Sequence, residues 1–304
     1  AGCFSLDEYD VGIVKRHERT RPDKEDDRTN HMVAVGAQTG IVFLTYRSDA
    51  VVDAVIERCS DQDPLLDIVA TDEVRHTIWR LSADDAGDAV RSFARVRAVY
   101  IADGHHRIAS AARARQELPS SDPEAEAHFF LGVAFPDVQT RILPYNRTVA
   151  DLAGQTPEAF LDLLRGQFPV KRSDTSVPAK GSVAMYLRGR WWSIDFSLVR
   201  ERMTSGSPVS KLDVAVLQDH LMAPLLSIAD IRTDPRVTFI GGGRGTDALV
   251  QSVDSGEAAV AFSLAAVTPT ELLDISDAGE MMPPKSTWFE PKLRDGLLIH
   301  PLQS

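Results

Sequence analysis

The chain is poor in cysteine, has no long apolar run and carries no net positive charge. Its two cysteines, Cys3 and Cys59, cannot build the disulfide framework of a small secreted scaffold, which points to a reducing, cytoplasmic setting. No apolar stretch approaches the ~20 residues of a membrane-spanning helix, and no signal peptide is visible, so a membrane partner is not expected. A net charge of −11 argues against sequence-independent binding of nucleic acid, which needs a basic surface to displace counterions. Internal repeats and low-complexity tails are lacking too, which excludes a solenoid or a helical array.

What is present is an ordinary globular composition, 43% hydrophobic and 25% charged over 304 residues, with a length that suggests about two domains. The chain begins with Ala1 and enters a strand-like Gly2–Leu6 run at once, as if upstream residues had been removed or left out. The first half alternates strands (Ile41–Tyr46, Arg75–Leu81, Val99–Ala102, His128–Phe135) with helical segments (Ala50–Arg58, Ala86–Val96, Ile108–Gln116). Such an order predicts a mixed α/β layer. After Asn146 a second unit is expected. A helix over Pro157–Phe168 leads to a hairpin, Ser182–Leu187 and Trp191–Phe196, turning at Arg188-Gly189-Arg190. A helix from Leu212 to Ala223 stopped by Pro224 comes next, then a strand Val237–Ile240, a helix Asp247–Val253 and a strand Ala258–Leu264. The resulting division is residues 1–150 and 151–304.

Three stretches could carry chemistry. In Val99–Arg107 an apolar strand ends on Asp103, turns through Gly104 and enters a helix on His105, His106 and Arg107. Unpaired N–H groups and the positive end of the dipole at a helix start bind phosphate. Asp103 could hold a metal, and Arg107 could grip phosphate oxygens in bidentate fashion. The same residues equally describe a helix cap with two solvated histidines. The run Lys15–Arg28 is dense in charge of both signs, which suits a solvated helix end with surface ion pairs. Alternatively, Glu18, ionised among cations, could accept a proton from an attacking hydroxyl. Near the other end, Pro283-Pro284-Lys285-Ser286-Thr287 offers a stiff loop, one compact cation and two hydroxyls: a phosphate clamp, or an ordinary loop. The run Gly241–Gly245 lacks the tail of a Walker loop and the spacing of a dinucleotide fingerprint, and is read as a flexible turn. Zinc is not expected, since neither cysteine has partners at ligand spacing; magnesium on Asp103 with substrate phosphates is favoured.

Together and in this order, Lys15-Arg16-His17-Glu18, Asp103-Gly104-His105-His106-Arg107 and Pro284-Lys285-Ser286-Thr287 resemble the pattern of the free serine kinases, enzymes of ParB/sulfiredoxin-like fold. Nearly the whole chain resembles a bacterial family described as a domain of unknown function. That likeness lies in the Arg16–Arg28 run, Gly36-Ala37-Gln38-Thr39-Gly40 and Leu143-Pro144-Tyr145-Asn146-Arg147. Its members usually carry a further N-terminal segment, so this sequence resembles the C-terminal three-quarters of one.

The resemblance implies a mixed α+β protein in which a ParB-like catalytic core, residues 1–150, is followed by a second α/β domain supplying Lys285, with the site in a cleft between them. It implies a kinase moving phosphate from ATP or ADP, with Mg2+, to a small-molecule hydroxyl, free L-serine being the expected acceptor. Glu18 would be the general base and Asp103 the essential acid beside the metal. Gly104, His105, His106 and Arg107 would bind phosphate, as would Lys285, Ser286 and Thr287. The chain departs from the kinases in having Arg16 before His17-Glu18 where they have proline. It also has Pro144-Tyr145-Asn146-Arg147 where they have an aromatic-rich segment. Tyr145, Asn146 and Arg147 then become the candidate substrate contacts, Tyr145 as a cover and Arg147 as a carboxylate anchor. A homodimer is compatible with this reading. The rivals are a ParB-like nucleotide-binding switch, a nucleotide hydrolase without acceptor, and a sulfiredoxin-like repair enzyme. The last would need a reactive cysteine beside the His-Arg turn, where the sequence has none.

Overall fold

The computed structural model describes residues 1–118, 120–203 and 206–303. It is a mixed α/β protein whose chain divides into two compact units. The first comprises Ala1–Lys15, Thr20–Thr140 and Leu293–Ser304; the second comprises Arg16–Arg19 and Arg141–Lys292. The boundary expected at residue 150 therefore falls earlier, after Thr140. The physical reason is strand pairing: Tyr145–Val149 is hydrogen-bonded on both sides, to Val237–Gly241 and Val260–Leu264, and cannot be parted from that sheet.

The first unit is built on a five-stranded sheet in the order Gly2–Ser5, Phe129–Pro136, Val42–Tyr46, Val99–Asp103, Val14–Lys15. Val42–Tyr46, the middle strand, is buried along its whole length, as its largely apolar run, broken only by Thr45, requires of a strand covered on both faces. It runs parallel to Phe129–Pro136 and antiparallel to Val99–Asp103. Val42, Leu44, Ile101, Ile108 and Phe130 make the centre of the core.

The helix Pro22–Val35 takes in the second half of the charged Lys15–Arg28 run. Pro22 pre-sets its first turn, Asp23 and Glu25 complement its dipole, and Gly36 ends it in a left-handed conformation (φ 66°) with its N–H on the Met32 carbonyl. Only Thr29 and Met32 of this helix are buried, so the apolar stripe is too narrow to be legible. Polar contacts with helix His105–Glu117 replace it. Ser110 Oγ donates to the Glu25 carbonyl (3.2 Å), Thr29 Oγ1 to the Ser110 carbonyl (3.5 Å), and Arg113 pairs with Asp26 (2.6 Å).

Gln38 does a strand's work with its side chain. Fully buried, it accepts from Leu131 N (2.8 Å) and donates to the carbonyls of Leu131 (3.3 Å) and Gly40 (3.0 Å). Its own backbone pairs with His300 in the short ribbon Ala37–Gln38/His300–Pro301.

The second unit carries a six-stranded antiparallel sheet in the order Val170–Arg172, Arg190–Asp195, Ser182–Leu187, Val260–Leu264, Tyr145–Val149, Val237–Gly241. The expected hairpin is there. Its two loop residues, Arg188 (φ 51°) and Gly189 (φ 72°), are both left-handed, as a type I′ turn demands. Helix Asp247–Asp254 packs on one sheet face through Leu249, against Tyr186, Ile240 and Ala261. The helix expected to stop at Pro224 instead continues to Leu226. Pro224 has no N–H and its ring crowds the carbonyl four residues back; a widened π-helical turn, Gln218–Met222, absorbs both just upstream. Among the described residues, no helix is long and apolar enough to cross a membrane.

The Gln38 amide yields a stability prediction. Gln38→Leu strips three hydrogen bonds from a buried position and leaves Leu131 N–H without its acceptor, a loss of about 2–3 kcal/mol. A lower urea midpoint checks it; an unchanged midpoint contradicts the role.

Candidate active-site residues

In the first unit, the candidate phosphate turn is shaped by a bulge and two glycines. Asp103 pairs with Phe43 and Ile101 with Leu44, so Ala102 is an extra residue in the last step of the strand. Bulges of this kind re-aim side chains at strand ends. Here the bulge immediately precedes Asp103, which is half-buried. Gly104 (φ 104°) then reverses the chain into helix His105–Glu117, whose start has no side-chain cap.

Arg107 lies between two glycines. A Cβ on Gly40 would stand 3.1 Å from Arg107 Nε, and one on Gly104 would stand 3.5 Å from its Cδ and Nη1. Nη1 donates to the Ile41 carbonyl (2.9 Å), and Nη2 lies 3.5 Å from Asp295 Oδ2. Gly40 is thus part of the site's construction, a role that the Gly36–Gly40 run does not disclose by itself. Its signal was a glycine at the foot of the central strand.

His106 is tied to the start of the neighbouring helix. Its Nε2 accepts from the Arg21 backbone N–H (3.0 Å), so the neutral ring carries its proton on Nδ1. Burial, then the charge of Arg28, pulls its pKa below the ordinary value. The ring is therefore a neutral donor at physiological pH. His105 is buried within the same first turn of the helix.

Asp103 suits magnesium in one respect. That ion commonly takes one or two protein carboxylates and completes its shell with phosphate oxygens and water. Among the described residues, the one group of three His, Cys, Asp or Glu side chains placed to share an ion lies elsewhere. Asp103 would then hold the ion as a single protein carboxylate.

The second unit holds the remaining candidates. Glu18 is exposed on a bend beside His17, which is buried, accepts from Met282 N through its carbonyl (2.8 Å) and packs its ring 6.1 Å from that of Phe289. Anchoring His17 fixes the backbone that carries Glu18. The strand Trp288–Glu290 pairs with Arg141–Leu143. Just before it, Lys285 occupies a left-handed turn (φ 52°) with its Nζ 5.4 Å from the Tyr145 ring centre. Trp288 meets Tyr145 edge to face at 5.4 Å. Cβ atoms on Gly241 and Gly242 would collide with Trp288 (2.5 Å) and with the Pro144 carbonyl (2.7 Å). Those glycines make room for the aromatic corner, in keeping with a turn rather than a phosphate loop.

Strand alternation sorts the Tyr145-Asn146-Arg147 triplet. Tyr145 and Arg147 share a face, both against Phe239. Asn146 points the other way and its Oδ1 accepts from Leu264 N (3.0 Å), fastening two strands of the sheet. Ser286 also has a fastening contact. Its hydroxyl donates to the Pro283 carbonyl (2.5 Å), so its only donor proton is spent closing the turn. Thr287, next along, is half-buried.

Arg147 is the exceptional group. It is 1% exposed, and its Nε and Nη1 have no hydrogen-bond partner. Burial pulls its pKa down to about 9, which still leaves a cation at neutral pH. A buried guanidinium with idle donors is costly unless something pairs with it.

The family described as "Protein of unknown function (DUF1015)" matches residues 1–215. The chain belongs to that family. The DUF1015 match spans the whole five-stranded sheet of the first unit and part of the second unit's sheet, and includes Glu18, Asp103–Arg107 and Tyr145–Arg147, while the Lys285 turn lies beyond it. No curated protein matches this DUF1015 chain. Among solved structures, a free serine kinase in complex with AMP is 14% identical, with 95% of this chain and 86% of that one covered and a TM-score of 0.45. A conserved hypothetical protein from Pyrococcus furiosus is 14% identical, with coverage of 97% and 92% and a TM-score of 0.44. SbnI with a C-terminal truncation, from Staphylococcus aureus, is 11% identical, with coverage of 99% and 85% and a TM-score of 0.49.

The His106 bond has a pH consequence. Because its folded pKa lies below the ordinary 6.5, the unfolded chain takes up the proton first as pH falls. Its contribution is therefore complete above about 6.5, declines from there toward the lowered folded value, and levels off below it. His106→Gln should flatten that part of the stability profile in urea titrations between about pH 7.5 and 5.5. Identical acid losses in both proteins would remove His106 as the cause.

Proposed function

We propose that this protein is a phosphotransferase that moves phosphate from ATP or ADP to the hydroxyl of a small molecule, with free L-serine as the acceptor and O-phosphoserine as the product. The observation that carries the reading is the Asp103–Arg107 turn. An acid at a bulged strand end meets an uncapped helix start, beside an arginine lodged between two glycines. Phosphoryl transfer asks mainly for positioning and for neutralising charge, with one group to receive a proton.

In this reading the helix N–H groups, Arg107 and the Nδ1–H of His106 bind donor phosphate oxygens. Lys285 and Thr287 supply a second set of contacts. Asp103 holds Mg2+, which when bound offsets phosphate charge. The acceptor oxygen forms a bond to the terminal phosphorus as the bond to the leaving ADP or AMP breaks. Glu18 takes the hydroxyl proton. Arg147 serves the acceptor's carboxylate: its idle donors and buried charge are what a planar anion would satisfy. Tyr145, braced by Trp288, covers the acceptor. We place the reaction in the cytoplasm.

Phosphorus NMR with magnesium, ATP or ADP, and L-serine should show a new phosphomonoester whose growth depends on serine. Phosphate release that no acceptor stimulates would make the protein a hydrolase. Bound nucleotide without either product would make it a switch. Within the kinase reading, Glu18→Gln should lower turnover by about 100-fold or more while nucleotide affinity stays nearly intact. Unchanged turnover removes Glu18 from the chemistry. Lys285→Ala should raise the nucleotide Kd, and an unaltered Kd would argue against the clamp.

A further inference from the structure

The register of the first unit brings together three residues that are far apart in the chain. Cys3, on the edge strand Gly2–Ser5, lies opposite Leu131. Leu131 is bound through both its N–H and its carbonyl to the Gln38 side chain, and Gln38 pairs with His300. Along this row the first strand and the last strand of the chain converge on one spot. Glu126, at the start of the short 3-10 helix Glu126–His128, reaches the same spot. A Cys3 sulfur, a Glu126 carboxylate oxygen and a His300 imidazole nitrogen lie within 4.8 Å of one another. Glu126 Oε2 is 2.7 Å from His300 Nε2. His300 is 5% exposed, and its Nδ1 has no hydrogen-bond partner.

We propose that Cys3, Glu126 and His300 form a binding site for a divalent transition metal of the zinc class. The donor set decides the metal. A thiolate, an imidazole and a carboxylate suit a borderline-soft ion rather than magnesium or calcium, which take oxygen alone. With one thiolate and one carboxylate the site balances a 2+ ion to neutrality. Tetrahedral bonds of 2.0–2.3 Å set donor-to-donor edges of about 3.3–3.8 Å; here the Glu126–His300 pair stands at 2.7 Å and no pair is further apart than 4.8 Å. Small side-chain rotations would therefore close the site. Cys3 and Glu126 are exposed, so the ion has a path from solvent and its fourth position would go to water.

Burial and the Glu126 charge raise the Cys3 thiol pKa. The site is separate from the Asp103 turn and does not depend on the phosphotransferase reading. Its effect would be structural: one ion would fasten residues 3, 126 and 300 together.

Cobalt(II), a spectroscopic substitute for zinc, tests the proposal on the full chain. We expect one Co2+ per chain, a sulfur-to-cobalt charge-transfer band in the near ultraviolet, and displacement by an equivalent of Zn2+. Cys3→Ser should abolish the band. Glu126→Gln keeps an acceptor for the His300 N–H but is a poor ligand, so it should weaken Co2+ binding at least tenfold while leaving the metal-free melting temperature unchanged. Absence of a charge-transfer band at saturating Co2+ overturns the proposal. So does a band that survives Cys3→Ser, which would trace to Cys59. An affinity unaltered by Glu126→Gln would reduce the Glu126–His300 pair to a hydrogen bond and overturn the three-ligand site.

Discussion

The contact on which the first unit depends is the polar seam between helices Pro22–Val35 and His105–Glu117. Ser110 is buried completely and works in both directions, donating to the Glu25 carbonyl and accepting from Thr29. With Ala111 and Ala114 on the same helix also buried, the two backbones come near enough for side-chain-to-backbone bonds to replace an apolar stripe. Through this seam the charged segment is held over the phosphate turn, and the Arg21 N–H meets His106. The turn is therefore stiffened from its neighbour as well as from its own helix. Loss of the seam would loosen the histidine before it loosened the sheet.

Much of this architecture was legible because its signals are local. The buried strand Val42–Tyr46, the strand-to-helix turn at Gly104 and the hairpin at Arg188-Gly189 are each written in a few consecutive residues. The helix Pro22–Val35 was not legible, since its partner lies some eighty residues away and its contacts are polar. Gly40 was not legible as a site residue either, because the Arg107 side chain that needs its empty space comes from another element. The helix through Pro224 failed for a different reason. A proline rule that holds for regular helices does not anticipate a π turn that relieves it.

The candidate site divides in the same way. Residue types and spacing pointed to the Asp103–Arg107 turn and to Tyr145 and Arg147, but not to what each side chain already does. Asn146 and Ser286 looked equivalent to their neighbours and turn out to be fasteners, one for the Val260–Leu264 strand and one for the Lys285 turn. Strand alternation could have separated Asn146 from Tyr145 and Arg147. Nothing in the sequence could have shown that Arg147 is buried with two idle donors.

The chain crosses between the units four times: it leaves the first unit after Lys15 and Thr140 and returns at Thr20 and Leu293. Arg141–Leu143 and Trp288–Glu290, close to where the longer excursion begins and ends, are zipped to each other as a two-stranded ribbon. The terminal strands Gly2–Ser5 and His300–Pro301 both belong to the first unit. Residues 144–287 therefore form a loop closed at its base, and a single cut of the backbone anywhere within it would leave both pieces attached to the same ribbon.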